Sequence, residues 1–79
     1  MDILKEVVAI IRDVLDDEDF EVNMETGAKD HEDWDSLSQI QIIVESERKF
    51  SVKFTTNDVR VLKNVGDFVK VIEERIAAK

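Results

Sequence analysis

Residues 35–50, DSLSQIQIIVESERKF, are the stretch from which the fold can be worked out. Its apolar residues recur among polar ones at intervals of three and four, which is the spacing of one face of an α-helix. An aspartate and a serine stand at its start, and either side-chain oxygen can accept a hydrogen bond from a free backbone N–H of the first turn. The stretch therefore predicts a helix from Ser36 to Phe50, capped by Asp35 or by Ser36 itself.

Upstream of this helix, residues 2–16 predict a first amphipathic helix, with Asp2 in the first turn, where the helix dipole favours an anion. Its apolar stripe comprises Ile3, Val7, Ile10, Ile11 and Val14. Residues 17–35 lose the periodicity and predict a long loop, which in a compact domain is often functional or locally ordered. The apolar side chains expected to fix this loop to the core are Phe20, Val22, Met24 and Trp34.

Downstream, the sequence predicts a short helical segment over residues 56–62 and a last helix from Val65 to Ala77. Thr55 and Asp58 stand three residues apart, as in a capping box. The predicted inward face of the last helix comprises Phe68, Val69, Ile72 and Ile76. The expected fold class is all-α, a small four-helix bundle of three long helices and one short helix. A long loop joins helices 1 and 2, and residues 1–79 form one domain.

Charge and composition exclude several function classes. The chain has 11 basic and 19 acidic residues, a formal net charge of −8, whereas nucleic-acid binding needs a basic footprint. It has no cysteine for disulfides or thiolate metal sites, and no apolar run approaches the roughly 20 residues that span a bilayer. Acidic residues interrupt the N-terminus, so no signal peptide is predicted.

We expect a cytoplasmic monomer that binds neither nucleic acid nor membrane. Without a nucleophile–base constellation, we predict no catalytic residue and no enzyme.

Ser36 has two interpretations from the residues alone. As a helix cap it needs no function, and serine is favoured there in any case. As an attachment point, its hydroxyl would carry a phosphodiester, which the free N–H groups and the dipole of a helix N-terminus stabilise. Asp35 would then help to hold a Mg²⁺ ion during transfer, because hard cations prefer carboxylate and phosphate oxygens. Local chemistry alone favours the cap.

A helical wheel at about 100° per residue divides the predicted second helix into two faces. The residues predicted to face inward are Gln39, Ile40, Ile43 and Phe50. The residues predicted to lie opposite are Ser38, Gln41, Glu45, Arg48 and Lys49, with Leu37 and Val44 at the edge. This outward surface has the composition of a modest docking patch. Two exposed aliphatic side chains are also common on surfaces without any function.

The chain as a whole resembles the acyl carrier protein family. The similarity includes Asp35-Ser36-Leu37 at the start of the second helix, residues 50–54 after it and residues 65–67 at the start of the last. The acidic composition and the order of helices agree as well. The resemblance implies a 4′-phosphopantetheine arm attached through Ser36, with Asp35 in support; the arm's thiol holds acyl groups as thioesters. It also implies a partner-facing surface at Leu37, Ser38, Gln41, Val44, Glu45 and Arg48.

The partners implied by this resemblance are a phosphopantetheinyl transferase and acyl-loading and acyl-transfer enzymes. Two features depart from the family pattern. Carriers of fatty acid synthesis usually have a strongly acidic second helix, whereas in this chain Ser38 and Gln41 follow the motif and the helix sums to zero charge. In addition, Trp34 precedes the motif, where many members have a small residue. We therefore predict a free-standing carrier that serves a specialised lipid or secondary-metabolite pathway.

The alternative function is an acidic helical adaptor that binds a basic partner protein and carries no cofactor.

Other candidate sites are weak. His31 lies among acids and is expected to be a solvated loop residue, since a metal needs several such ligands. Residues 19–23 echo a calcium loop, but Met24 stands where that loop needs glycine, so no metal site is predicted. Trp34 is expected to be a packing residue.

Overall fold

The computed structural model describes residues 2–78, and this part of the chain is built from α-helices. The elements are α1 (Ile3–Val14), a 3₁₀ turn (Ala28–Asp30), α2 (Ser36–Phe50), α3 (Thr56–Val61) and α4 (Val65–Ala77). The predicted all-α bundle of three long helices and one short helix is therefore confirmed. None of the helices in the described part of the chain is long and apolar enough to cross a membrane.

The core lies where α1 packs against α2 and α4. The largest completely buried apolar side chains come from all three of these helices and are Val7, Ile11, Ile42, Val65, Phe68 and Ile72. Removing one such side chain from water is worth about 1.5–3 kcal/mol. Burial of these faces, rather than helix propensity alone, therefore holds the three long helices together.

Side-chain caps set where the helices begin. Asp2 accepts a hydrogen bond from the backbone N–H of Lys5 at 3.1 Å, so it lies just outside α1 instead of in its first turn. The predicted capping box is present at α3. Thr55 Oγ1 accepts from the Asp58 N–H at 3.1 Å, and Asp58 Oδ2 accepts from the Thr55 N–H at 2.8 Å. These reciprocal bonds satisfy backbone donors that the helix leaves without a partner.

The loop between α1 and α2 is locally ordered and runs beside the start of α4. The Gly66 N–H donates to the Met24 carbonyl at 2.8 Å, which ties the loop to the first turn of α4. Gly27 approaches Lys63 so closely that a Cβ there would lie 2.7 Å from the Lys63 carbonyl oxygen. Only a glycine allows this approach, which explains why one of the two glycines stands in this loop.

The wheel prediction for α2 was wrong at one isoleucine. Ile40, predicted to face inward, is 57% exposed, whereas Ile42 and Ser46 are completely buried. Ile43 and Phe50 are buried as predicted. The helix is rotated by about 50° from the predicted orientation, so that Ile42 and Ser46 face the core in place of Ile40.

Two other predictions of burial were wrong. Ile76, assigned to the inward face of α4, is 36% exposed because it lies in the last turn, beyond the side chains that fill the core. Met24, expected to fix the long loop through its side chain, is 43% exposed. Its backbone carbonyl accepts a hydrogen bond from Gly66 of α4, and the end of its side chain also lies beside Gly66.

Candidate functional site

Ser36 is the first residue of α2 and is exposed to solvent. Of the two candidate caps, Asp35 is the residue that caps the helix, because its Oδ1 accepts a hydrogen bond from the Ser38 N–H at 2.9 Å. The Ser36 hydroxyl has no hydrogen-bond partner within residues 2–78. Ser36 therefore does not cap the helix, and its hydroxyl is exposed at the N-terminus of α2.

Asp35 brings a negative charge next to this hydroxyl. The hydrogen bond from the Ser38 backbone N–H lowers the pKa of Asp35 below its ordinary value, so the carboxylate is ionised at neutral pH. Weaker contributions from the Ser38 side chain and the Leu37 backbone act in the same direction. An exposed, ionised carboxylate beside a free hydroxyl can ligate a hard cation that also binds a phosphate.

Trp34 anchors the segment that precedes the candidate site. The indole is 4% exposed, and its Nε1–H donates to Gln39 Oε1 at 2.6 Å. The Gln39 amide in turn donates to the Leu62 carbonyl, at the end of α3, at 3.3 Å. We call these three groups the Trp34–Gln39–Leu62 relay. Trp34 is thus a packing residue, as predicted, and the relay fixes the chain immediately before Ser36.

This relay was not predicted, although the sequence contained one signal for it. Gln39 was placed on the inward face of α2, and a buried amide group almost always has a hydrogen-bond partner. An amide facing inward within five residues of a tryptophan therefore pointed to a bond with the indole N–H. The second partner, the Leu62 carbonyl, lies 23 residues away and gave no local signal.

Ser38 does not belong to the outward face to which it was assigned. It is half-buried, and its hydroxyl donates to the Asp33 carbonyl at 2.8 Å. This bond joins the first turn of α2 to the loop before it. Ser38 therefore holds the loop against the helix, and the proton of its hydroxyl is committed to this bond.

The exposed face of α2 forms one apolar stripe, which we call the α2 stripe. It comprises Leu37 at 66% exposure, Ile40 at 57% and Val44 at 43%. Residues three, four and seven apart share one side of a helix, so these three side chains are neighbours. Gln41 and Arg48 are also exposed beside the stripe, whereas Glu45 is partly buried and lies 3.7 Å from Arg48. Ile40 is the member that sequence reasoning missed.

His31 is not the solvated residue that the sequence predicted. Its side chain is only 11% exposed, and its Nε2 lies 3.0 Å from Asp17 Oδ2. The Asp33 N–H donates to Nδ1 at 3.1 Å, and the ring packs edge-on against Phe20 with centroids 4.7 Å apart. His31 thus fastens the two ends of the long loop to each other. No group of three potential metal ligands exists in the described part of the chain.

Comparison with known sequences places this chain among carrier proteins. No family model matches it. The acyl carrier protein of Rhodococcus erythropolis is 36% identical over 73 residues, which cover 92% of this chain and 80% of that protein. The meromycolate extension acyl carrier protein of Mycobacterium tuberculosis is 36% identical over 73 residues, again 92% of this chain. The match covers 64% of that longer mycobacterial protein.

A solved structure supports the same relationship. The solution NMR structure of holo acyl carrier protein from Geobacter metallireducens matches this fold with a TM-score of 0.90 and 36% sequence identity. The match covers 99% of this chain and 90% of that one. Sequence and fold therefore agree over nearly the whole length of the molecule.

Proposed function

Because this chain belongs to the acyl carrier protein family, we propose that Ser36 is the residue that carries its 4′-phosphopantetheine arm. The protein holds acyl groups as thioesters on this covalently attached arm and presents them to acyl-handling enzymes. The arm supplies a thiol, which the chain itself lacks because it has no cysteine. The protein's own contribution is to offer one hydroxyl for attachment and a surface for docking.

The observation that supports this assignment is that Asp35, and not Ser36, caps α2. Because Asp35 caps α2, the Ser36 hydroxyl is left exposed and uncommitted. The other serines fit less well. Ser38 uses its hydroxyl to bond the Asp33 carbonyl, Ser46 is completely buried, and Ser51 follows the C-terminus of α2.

The residues around Ser36 suit a phosphodiester. The helix dipole and the backbone N–H groups of the first turn other than that of Ser38, which bonds to Asp35, favour an anion at this position. During attachment, a phosphopantetheinyl transferase would transfer the arm from coenzyme A to Ser36 Oγ. We propose that the exposed Asp35 carboxylate ligates the Mg²⁺ ion that accompanies this transfer.

We further propose that the protein acts as a monomer and docks its partners through the α2 stripe. Leu37, Ile40 and Val44 supply the apolar contact, and Gln41 and Arg48 lie beside them. Glu45 belongs to the edge of this surface, whereas Ser38 is directed to the loop. The zero net charge of α2 favours a dedicated pathway for a specialised lipid or secondary metabolite over general fatty acid synthesis.

Intact-mass analysis after incubation with coenzyme A, Mg²⁺ and a broad-specificity phosphopantetheinyl transferase tests the attachment residue. We expect wild type to gain one phosphopantetheine and Ser36→Ala to gain none. Ser51→Ala, which removes another exposed hydroxyl, is the matched control and should be modified normally. A wild-type protein that stays unmodified would favour the adaptor alternative. Equal modification of Ser36→Ala would place the arm on another residue.

A further inference from the structure

The two ends of the α2 stripe carry opposite charge. At the N-terminal end, the loop that leads into α2 exposes Glu32, Asp33 and Asp35. At the C-terminal end, Arg48 and Lys53 are both exposed. The apolar stripe thus lies between an acidic pole, in the loop before α2, and a basic pole, formed by Arg48 near the end of α2 and Lys53 beyond it.

Neither cation of the basic pole is held in a strong ion pair within the described part of the protein. Arg48 has a side chain that is 76% exposed, and its carboxylate neighbour Glu45 lies 3.7 Å away, a distance and exposure at which an ion pair contributes little. Lys53 has no carboxylate partner in the described residues. Lys49 differs, because it pairs with Glu6 of α1 at 3.2 Å and is thus directed to the body of the protein.

The basic pole is continuous with the apolar stripe. Arg48 and Lys53 line one open groove together with Val44 and Val52. Glu47 also borders this groove, but it is half-buried and its carboxylate accepts the Phe54 N–H at 2.8 Å. A partner that covers Val44 would therefore meet two available cations next to the apolar contact.

The two poles act separately on a partner. Leu37 and Arg48 are eleven residues apart, which is about 16 Å along a helix. The Debye length at physiological ionic strength is about 8 Å, so each pole is screened from the other. The net charge of −8 does not describe the field that a partner meets at Arg48. A uniformly basic surface would be attracted at one end of α2 and repelled at the other.

We propose that the α2 stripe docks a protein partner whose contact surface is bipolar. That surface has an apolar centre, basic residues opposite Asp33 and Asp35, and acidic residues opposite Arg48 and Lys53. Charge juxtaposition of this kind selects partners, because like charges brought together across an interface are strongly unfavourable. This inference rests on the proposed function, since it specifies the partners of the same surface.

Three synthetic amphipathic helical peptides test the charge pattern. They share one apolar stripe and differ only at their ends: one basic and one acidic end, two basic ends, or two acidic ends. Each is titrated into the ¹⁵N-labelled, unmodified full-length protein, and affinities are taken from backbone chemical shifts. We expect the bipolar peptide to bind α2 about threefold or more tightly than either uniform peptide.

Charge-reversed variants show whether the basic pole is responsible. In Arg48→Glu/Lys53→Glu, the peptide with two basic ends should become the tightest ligand. Lys70→Glu reverses an exposed charge on α4 and is the matched control, for which the order of the three peptides should stay as in wild type. Circular dichroism of each variant confirms that these surface changes leave the fold intact.

Several results would overturn the bipolar surface. One is that wild type binds the peptide with two basic ends as tightly as the bipolar peptide. Another is that Lys70→Glu changes the affinity order of the three peptides as much as Arg48→Glu/Lys53→Glu does. The third is that no peptide binds to α2. Because the titration uses unmodified protein, it does not depend on Ser36. A bipolar preference together with an unmodified Ser36 would refute the carrier assignment and leave the docking surface in place.

Discussion

α2 and α4 both bury one face against α1, but the two faces differ in chemistry. The buried residues of α4 are all apolar and comprise Val65, Phe68, Val69, Val71 and Ile72. The inward side of α2 contains Gln39 and Ser46 among its isoleucines and phenylalanine. An apolar face needs only close packing, whereas each buried polar group also needs a hydrogen bond. α4 is thus a hydrophobic support, and α2 is held partly by directed bonds.

The two polar residues on the inward side of α2, Gln39 and Ser46, have opposite effects on stability. Gln39 has a partner at each end of its amide, Trp34 and Leu62, so it fixes the position of the helix. Ser46 is completely buried, and its Oγ is the one buried side-chain oxygen or nitrogen without a hydrogen-bond partner in the described part of the chain. A buried hydroxyl without a partner retains the free-energy cost of its desolvation. The helix that carries the functional site therefore contains both a specific anchor and a local weakness.

The largest loss of stability should come from truncating a side chain on the apolar face of α4. Ile72→Ala removes a completely buried side chain and should lower the free energy of unfolding by about 2–5 kcal/mol, measured by urea denaturation with far-UV circular dichroism. Ile76→Ala, the same change one turn later at a site 36% exposed, is the matched control and should cost much less. Equal losses at the two sites would mean that the core extends into the last turn of α4.

The contrast between Ile72 and Ile76 shows what the sequence could predict. Helix boundaries depend on neighbours in the chain, and the predicted bounds of α2 and α4, Ser36–Phe50 and Val65–Ala77, agree with the structure. Which side chains are buried depends on the other helices. Periodicity assigned Ile76 to the inward face, but it contains no information on where the core ends.

The same limit applies to the candidate site. Asp35-Ser36-Leu37 led to the proposal that Ser36 is the attachment residue, but the sequence left open whether Asp35 or Ser36 caps the helix, because both side chains can do so. Ile40 was assigned to the core because its spacing from Ile43 is as helical as its spacing from Leu37 and Val44. His31 was expected in solvent because it lies among acidic residues, and its partner Asp17 is fourteen residues away in the chain. Such contacts arise only once the loop is folded.

The second effect concerns the directed bonds of α2. Gln39→Leu should lower the free energy of unfolding by about 1–3 kcal/mol, because it leaves the Trp34 N–H and the Leu62 carbonyl without their partner. Urea denaturation followed by fluorescence reports directly on the site, since Trp34 is the single tryptophan of the chain. Gln41→Leu makes the same chemical change on the exposed side and should leave both stability and emission nearly unchanged. An unaltered emission maximum in Gln39→Leu would contradict the relay.

Ser46 provides a smaller effect of opposite sign. Ser46→Ala should raise the free energy of unfolding by about 1 kcal/mol, because it removes the desolvated hydroxyl and alanine is the better helix former. Ser38→Ala is the informative control, since that hydroxyl does have a partner in the Asp33 carbonyl. We expect Ser38→Ala to destabilise the protein in the same thermal or urea measurement. Destabilisation by both variants would mean that Ser46 has an unrecognised role in packing.

The smallest effect concerns α3, which α2 and α4 hold by different means. α2 supplies the Gln39 amide to the Leu62 carbonyl, whereas Arg75 of α4 donates to Asp58 of α3 through Nη2 at 2.6 Å and Nε at 3.0 Å. The hydrogen bonds from Arg75 hold the pKa of Asp58 below its ordinary value of 3.8. The stability that this ionised carboxylate contributes is therefore fully present above that value, and it is lost as the pH falls through the lower pKa of the folded state.

The expected signature is a pH-dependent difference between wild type and Arg75→Gln. Urea midpoints should differ by a constant amount at neutral and mildly acidic pH, and the difference should shrink as the pH falls below 3.8 and through the lowered pKa of Asp58 in the folded state. Part of the pH dependence of stability remains in Arg75→Gln, because the Thr55 N–H also lowers the pKa of Asp58. The cost of Gln39→Leu should be the same throughout this range, since an amide does not titrate. A difference for Arg75→Gln that persists undiminished in acid would show that α4 holds α3 by packing and not by charge.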